Sequence, residues 1–366
     1  MTAVWWAQVK AVARLELKKT FLAKRGLWIY LVAASPVLLF IIYAIAMSNQ
    51  HSYSTKLASK SEKPLTYQDL LAVKTGMSSD EVIAMLGKPP VRFHWVEDRK
   101  LDHGANQKIS HENYHYSDGQ NQLYLNLTDG MVESIDIQEG YKLGQDSIVF
   151  ASIFQFFFLR LAIFFGCLGI FMNLFRGEVL DHSLHFYFLS PVRREVLMVG
   201  KFLAGLLATC LIFVSSELLQ TVAFLWHFPS NIRDLYLYHN HGLEHTAVYL
   251  GVTVLACIGY GSFFLVAGML FRNPIVPALA ILVWEGINPF LPSVLKQISV
   301  IYYLKTLCPV DIPTPPGTPP LLALLIWNSN PVSAPIAVIG LLMVSLFALY
   351  ISSIQIRRME INYTTE

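Results

Sequence analysis

Charged residues are scarce in this chain. They fill 14% of 366 positions, where a soluble protein usually carries about a quarter, and apolar residues make up 54%. That balance excludes an ordinary soluble domain and points to a bilayer. The formal net charge is only +2, so its distribution matters more than its sum. Cysteine is also rare. Cys167, Cys210, Cys257 and Cys308 show no metal-ligand spacing, and three of them lie in apolar runs, where a thiol packs as a small hydrophobe. No G-x-x-x-x-G-K-[ST] loop is present. Gly87-Lys88 is followed by Pro89 and lacks the upstream glycine, so it cannot cradle phosphates. The first apolar run is followed by no A-x-A-like site and reads as a span rather than a cleaved signal.

What is abundant is long apolar sequence. A span needs roughly 20 apolar residues. Residues 27–47, 148–174, 202–226, 246–271 and 332–356 qualify, and 275–291 is a shorter, Pro-bounded candidate. Pro274 and Pro277 at its start, and Asn288-Pro289 and Pro292 at its end, predict helix ends and kinks. The region 293–331 is apolar but broken by Pro309, Pro313, Pro315, Pro316, Pro319 and Pro320, and it predicts re-entrant or external segments.

Orientation follows from Lys and Arg in short loops. Lys10, Arg14, Lys18, Lys19, Lys24 and Arg25 precede the first span. Arg176, Arg193 and Arg194, with Lys201 at the edge, lie between spans two and three. Arg272 follows span four, and Arg357 and Arg358 follow span six. The opposite side holds only Arg233, Lys296 and Lys305 in its short loops. The expected fold is an α-helical polytopic membrane protein with six transmembrane helices, both termini cytoplasmic, and a small α+β domain inserted outside. Residues 1–26 form an interfacial helix, 27–47 the first span, and 48–147 the outward domain. Residues 148–366 form five further spans.

The inserted stretch changes abruptly to polar residues with turn signals. Ser78 can cap a helix, Glu81 completes a capping box, and Met77 with Val82 can form a hydrophobic staple. Gly87 and Pro89 end that helix. A shorter helix over 67–73 precedes it. Val91, Phe93 and Trp95 alternate with polar residues, as do Leu123, Leu125 and Leu127, and less strictly Val132, Ile135 and Ile137. Asp118-Gly119 and Asp129-Gly130 are hairpin turns by their chemistry. The expectation is two helices on a three- or four-stranded antiparallel sheet. Gly76-Met77-Ser78, Glu81-Val82, Leu86-Gly87, Pro89, Tyr116, Tyr124-Leu125, Gly130 and Val132 together resemble the SmpA/OmlA/BamE-like domain family over about 65–138. The resemblance implies a periplasmic binding or structural role in a Gram-negative-type envelope, by contact with protein or lipid rather than catalysis.

The loop 175–201 reads Arg176-Gly177-Glu178, Asp181-His182-Ser183-Leu184, then Leu189-Ser190-Pro191-Val192-Arg193-Arg194. Taken by residues, it is a short amphipathic helix, a Pro-marked turn and basic residues at a membrane surface. An ordinary basic loop reads the same way. With the basic N-terminal segment and the broken stretch before the last span, the pattern resembles a type-2 ABC exporter permease. The resemblance implies a coupling helix over 178–190 that docks on a separate ATPase. It assigns ATPase coupling to Glu178, Asp181, His182, Leu184, Pro191, Arg193 and Arg194, the two arginines lying near headgroups. It also implies a second permease subunit. This chain would hold no cofactor, ATP and Mg residing on the partner, and no nucleic-acid partner is expected. In the N-terminal helix Trp5, Val9, Val12 and Leu15 share a broad face, but Gln8, Glu16 and Lys19 interrupt it.

Three charged residues fall within apolar spans: Arg160, Glu217 and Glu285. Each costs about 2.5–3.5 kcal/mol on insertion scales, so each is expected to face the bundle interior, water or a partner. A pathway role and a structural ion pair, such as Arg160 with one glutamate, stand level. His111-Glu112-Asn113-Tyr114-His115 matches the H-E-x-x-H zinc signature, which works only on a helix. It precedes a hairpin turn in a β-rich region, where the imidazoles would stand roughly 13 Å apart. His227, His239, His241 and His245 cluster after span three. Interfacial loop histidines are the commoner explanation than a metal site. The rival to an exporter is a scaffold or envelope-assembly protein that displays the outward domain without ATP. A membrane enzyme lacks a catalytic constellation.

Overall fold

The computed structural model describes residues 2–22, 27–100, 106–180, 189, 192–271, 273, 275–313 and 332–358. Helices dominate, and the chain divides into two compact units. One comprises Met1–Ile41 with Gln145–Glu366, the other Ile42–Gly144. Five helices are long and apolar enough to cross a membrane: Leu27–Ala58, Leu143–Phe175, Arg194–Trp226, Gly242–Leu270 and Ala334–Arg358. The chain is a multi-pass membrane protein on that ground. The short candidate at 275–291 is a 13-residue helix, Ile275–Ile287, followed by one 3₁₀ turn at Asn288–Phe290. At 1.5 Å per residue it falls short of the hydrocarbon thickness. Residues 314–331, where re-entrant structure was expected, lie outside the described residues.

The smaller unit is an antiparallel meander, β1 (Val91–Lys100), β2 (Asn106–Ser117), β3 (Gln122–Thr128) and β4 (Met131–Gln138), in the order β1-β2-β3-β4. Helices α3 (Tyr67–Leu71) and α4 (Ser79–Leu86) supply its core with Leu70, Val82 and Leu86, against Tyr114, Tyr116, Leu123, Leu125, Leu127 and Val132. Both helices begin with a reciprocal capping box. Ser78 and Glu81 form the expected one, and Thr66 with Asp69 forms a second. Asp129 and Gly130 both have positive φ, 50° and 77°, as a tight hairpin turn with strand-matching twist requires.

The strand register sorts the sheet into two faces. Arg92 pairs with Tyr114 and Tyr114 with Leu125, so these face α3 and α4. Phe93, Asn113 and Asn126 lie on the other face. Phe93 and Trp95, which mark β1 in the sequence, are therefore 64% and 46% exposed. The end of α2 (Leu27–Ala58) covers part of that second face. Leu57 is buried, Ser54 and Ser117 share a hydrogen bond of 2.7 Å, and the Tyr53 and His115 rings stand 5.7 Å apart. The first helix thus runs eleven residues past the expected end at 47, because polar 48–58 has a sheet to pack on. The unit accordingly begins at Ile42 rather than at 48.

The larger unit is a helical bundle. The N-terminal α1 (Thr2–Leu22) packs along α8 (Arg194–Trp226). The second span is assembled from α5 (Leu143–Ser152), a π-helical stretch Ile153–Ile163 and α6 (Phe164–Phe171), and it continues into α7 (Asn173–Leu180). Helix α9 (Gly242–Leu270) contacts α6, α8 and α12 (Ala334–Arg358). The Phe171 ring wedges between Gly205 of α8 and Gly261 of α9. A methyl group on either glycine would come within 2.7 Å or 2.5 Å of it. In a membrane, where apolar burial drives helix association weakly, such close shape matching fixes helix order.

Candidate functional site

The root of the loop 175–201 is built on one lysine. Lys201, about two turns into α8, is fully buried. Its ammonium donates to Glu16 Oε1 of α1 at 3.0 Å and to the Leu174 carbonyl of α7 at 2.7 Å, and it lies 5.2 Å from the centre of the Phe175 ring. Three elements therefore meet at one charge: the N-terminal helix, the start of the loop and the helix that follows it. A buried ammonium is tolerable only when paired and hydrogen-bonded. Glu16 is 3% exposed, and Lys19 approaches the same Oε1 at 3.8 Å. The glutamate that interrupts the apolar face of α1 is thus the residue that docks it. Next to Lys201, Gly200 lets α1 approach closely. A Cβ there would meet Val12 Cβ at 2.8 Å and the Val9 carbonyl at 3.2 Å.

The far end of the loop is tied separately. Arg193 is extended and precedes α8, and Arg194 opens it. The Arg194 guanidinium donates to the Arg357 carbonyl at 3.0 Å and the Ile356 carbonyl at 3.4 Å, satisfying carbonyls left over at the end of α12. Glu195 answers with an ion pair to Arg357 at 2.9 Å. Arg194, expected near headgroups, is engaged with the last turn of α12. Glu178 lies on α7. Asp181, His182, Leu184 and Pro191 lie outside the described residues.

The intramembrane charges separate into two places. Arg160 belongs to the π-helical stretch, with its guanidinium 5.1 Å from the centre of the Phe156 ring. Glu285, on α10 (Ile275–Ile287), lies within electrostatic reach of Arg160. Its carboxylate accepts from Ser299 Oγ at 2.7 Å, the Val300 amide at 3.0 Å and the Ile301 amide at 2.9 Å. Val300 and Ile301 open α11 (Val300–Leu307), so Glu285 satisfies the free amides and the positive end of that helix. Glu217 stands apart from both. It is fully buried on α8, where Thr221 Oγ1 donates to its Oε1 at 3.1 Å.

The H-E-x-x-H match lies on strand β2, with His111 and His115 on one face and Glu112 on the other. His115 is stacked on Tyr124 at 4.0 Å and bonded to Gln122 at 3.1 Å, and burial pulls its imidazole below the usual histidine range. Glu112 is opposed by burial. The Tyr114 hydroxyl at 2.6 Å and the Arg92 guanidinium at 2.7 Å outweigh that and hold it below the usual carboxylate range. His227 packs beside Asp146 at 3.7 Å, and His241 meets Glu244 at 2.8 Å. Among the described residues no group of three or more His, Cys, Asp or Glu is close enough to hold a metal ion.

Sequence reasoning passed over Lys201 as a loop edge and read Glu16 as a flaw in an amphipathic pattern. The signal was there: one acid on an apolar stripe and one base at the start of an apolar span. Gln220 and Tyr249, described below, gave no such signal, because a glutamine and a tyrosine within a span are common. No family model matches this chain, and no curated protein matches it.

Proposed function

We propose that this chain is the membrane permease subunit of an ATP-driven exporter of the type-2 ABC class. In this reading the chain crosses the inner membrane six times, Ile275–Ile287 with its following turn serving as the short fifth span. Both termini face the cytoplasm, and the four-stranded unit faces the periplasm. The observation that carries the reading is the joint at Lys201. A loop that receives force from an ATPase needs rigid attachment to the spans it moves. Here one buried ammonium links α7, α8 and the basic α1, and Arg194 with Glu195 ties the other root to α12. A solvated loop of no consequence has no need of either. The acidic residues Glu178 and Asp181 and the basic pair Arg193 and Arg194 supply the docking chemistry, and a second permease subunit completes the path. ATP and Mg bind on the partner.

The test is isolation of the tagged full-length protein from its native membrane under mild detergent. A co-purifying chain with a Walker A loop is expected, and it is lost on charge reversal at Glu178 or Asp181. Isolation without any ATPase, with function intact in both reversal variants, overturns the reading in favour of a scaffold that displays the periplasmic unit.

A further inference from the structure

Three buried polar atoms on α8 and α9 have no hydrogen-bond partner among the described residues: Glu217 Oε2, Gln220 Oε1 and the Tyr249 hydroxyl. Glu217 and Gln220 are fully buried and Tyr249 is 2% exposed. Glu217 and Gln220 are three positions apart, on one face of α8. Tyr249, on α9, lies within electrostatic reach of the Glu217 carboxyl. The other ends of these side chains are already committed. Thr221 donates to Glu217 Oε1, and Gln220 Nε2 donates to Ser216 Oγ at 3.2 Å. Ser216 in turn donates to the Ala33 carbonyl of α2 at 2.6 Å. That chain fixes the glutamine with its oxygen as the bare atom. The walls are aromatic: Phe154 lies 4.5 Å and Phe150 5.2 Å from the Tyr249 ring, and Phe150 lies 5.1 Å from Phe224.

A carboxylate oxygen and an amide oxygen are both acceptors, and acceptors cannot satisfy one another. The phenol can serve one of them at most. Arg160 does not serve here, since its charge acts on Glu285. What this group of oxygens needs is a positive centre. We propose that Glu217, Gln220 and Tyr249 form a binding site for a small monovalent cation, sodium in the first instance. The donor set decides the class. It consists of oxygens alone, which suit a hard cation rather than a transition metal. One carboxylate balances one positive charge, which disfavours a divalent ion in apolar surroundings. Full burial requires the ion to shed its water, as sodium sites within transporter bundles do through carboxylate and carbonyl oxygens. The bound ion would tie α8 to α9 across the bundle interior, whether or not the chain works with an ATPase.

The test is thermal unfolding of the purified full-length protein in detergent at mildly alkaline pH, in sodium chloride and in choline chloride at equal ionic strength. Sodium at ten times its dissociation constant is expected to raise Tm by roughly 2 °C. Glu217→Gln keeps the shape and removes the charge, so the sodium-dependent rise disappears. Gln220→Met keeps the carboxylate, so the rise needs more sodium. Equal Tm of the unaltered protein in the two salts overturns the proposal and leaves Glu217 as a protonated acid. An undiminished sodium effect in Glu217→Gln overturns it as well. The comparison of salts needs no variant and decides the matter even if Glu217→Gln does not fold.

Discussion

Replacing Glu16 with leucine takes a carboxylate partner away from a buried ammonium. Lys201 is wholly inaccessible, and its attachments among the described residues include the Glu16 carboxylate at 3.0 Å, the Leu174 carbonyl at 2.7 Å and the Phe175 ring. Glu16→Leu removes the countercharge among these. Breaking a buried pair in this way costs about 3–5 kcal/mol, because a charge remains without compensation. Lys201→Met is expected at the lower end of that range. The stranded Glu16 keeps Lys19 at 3.8 Å, and Lys19 is half exposed and adjusts freely. The double variant, Glu16→Leu with Lys201→Met, removes both charges of the pair and is expected to sit within about 1–2 kcal/mol of the unaltered protein. Reversing the pair does not rescue it, because a carboxylate at 201 would face the Leu174 carbonyl, an acceptor against an acceptor. Thermal unfolding of the four proteins in one detergent, read as a double-mutant cycle, measures the coupling. Single variants that each cost no more than about 1 kcal/mol, the scale of a surface pair, refute the joint.

Three further outcomes are expected. Gly200→Val drives a branched side chain into Val12 and the Val9 carbonyl, costing about 1–3 kcal/mol and freeing α1 to added protease. Ser299→Ala removes the 2.7 Å bond to Glu285 and is expected to cost about 1.5–3 kcal/mol in Tm measurements, with no change at the Glu217 site. Acid weakens the four-stranded unit in two stages. His115 is depressed in the folded state, so its contribution is complete above the unfolded histidine value of about 6.5 and is lost as pH falls through the lower folded value. Glu112 is also depressed, so its contribution is complete above about 4.3 and is lost as pH falls further. Hydrogen exchange of β2 and β3 amides in the full-length protein reads both stages, and His115→Gln removes the first alone.

The parts legible in the sequence are those set by local rules. Long apolar runs gave the five long helices, and Ser78 with Glu81 gave a helix start. Asp129-Gly130 gave a hairpin, and the alternation in β1 to β4 gave a meander. What escaped depended on a partner far along the chain. Polar 48–58 stays helical because Ser54 and Leu57 find the sheet. Phe93 and Trp95 look like core by pattern, yet lie on the face that α3 and α4 leave open. Glu16 looks like a defect until Lys201, far along the chain, is set beside it. Arg194 reads as a surface charge, and only the folded end of α12 supplies its carbonyl partners.

The seating of Phe171 between Gly205 and Gly261 has a mechanical consequence. A ring keyed into two glycines works as a detent, because at either contact point even one added carbon would collide with the ring. Sliding of α8 or α9 along the second span is therefore resisted at this contact. A rearrangement of this bundle therefore starts more easily at the rim of the trio than through its middle.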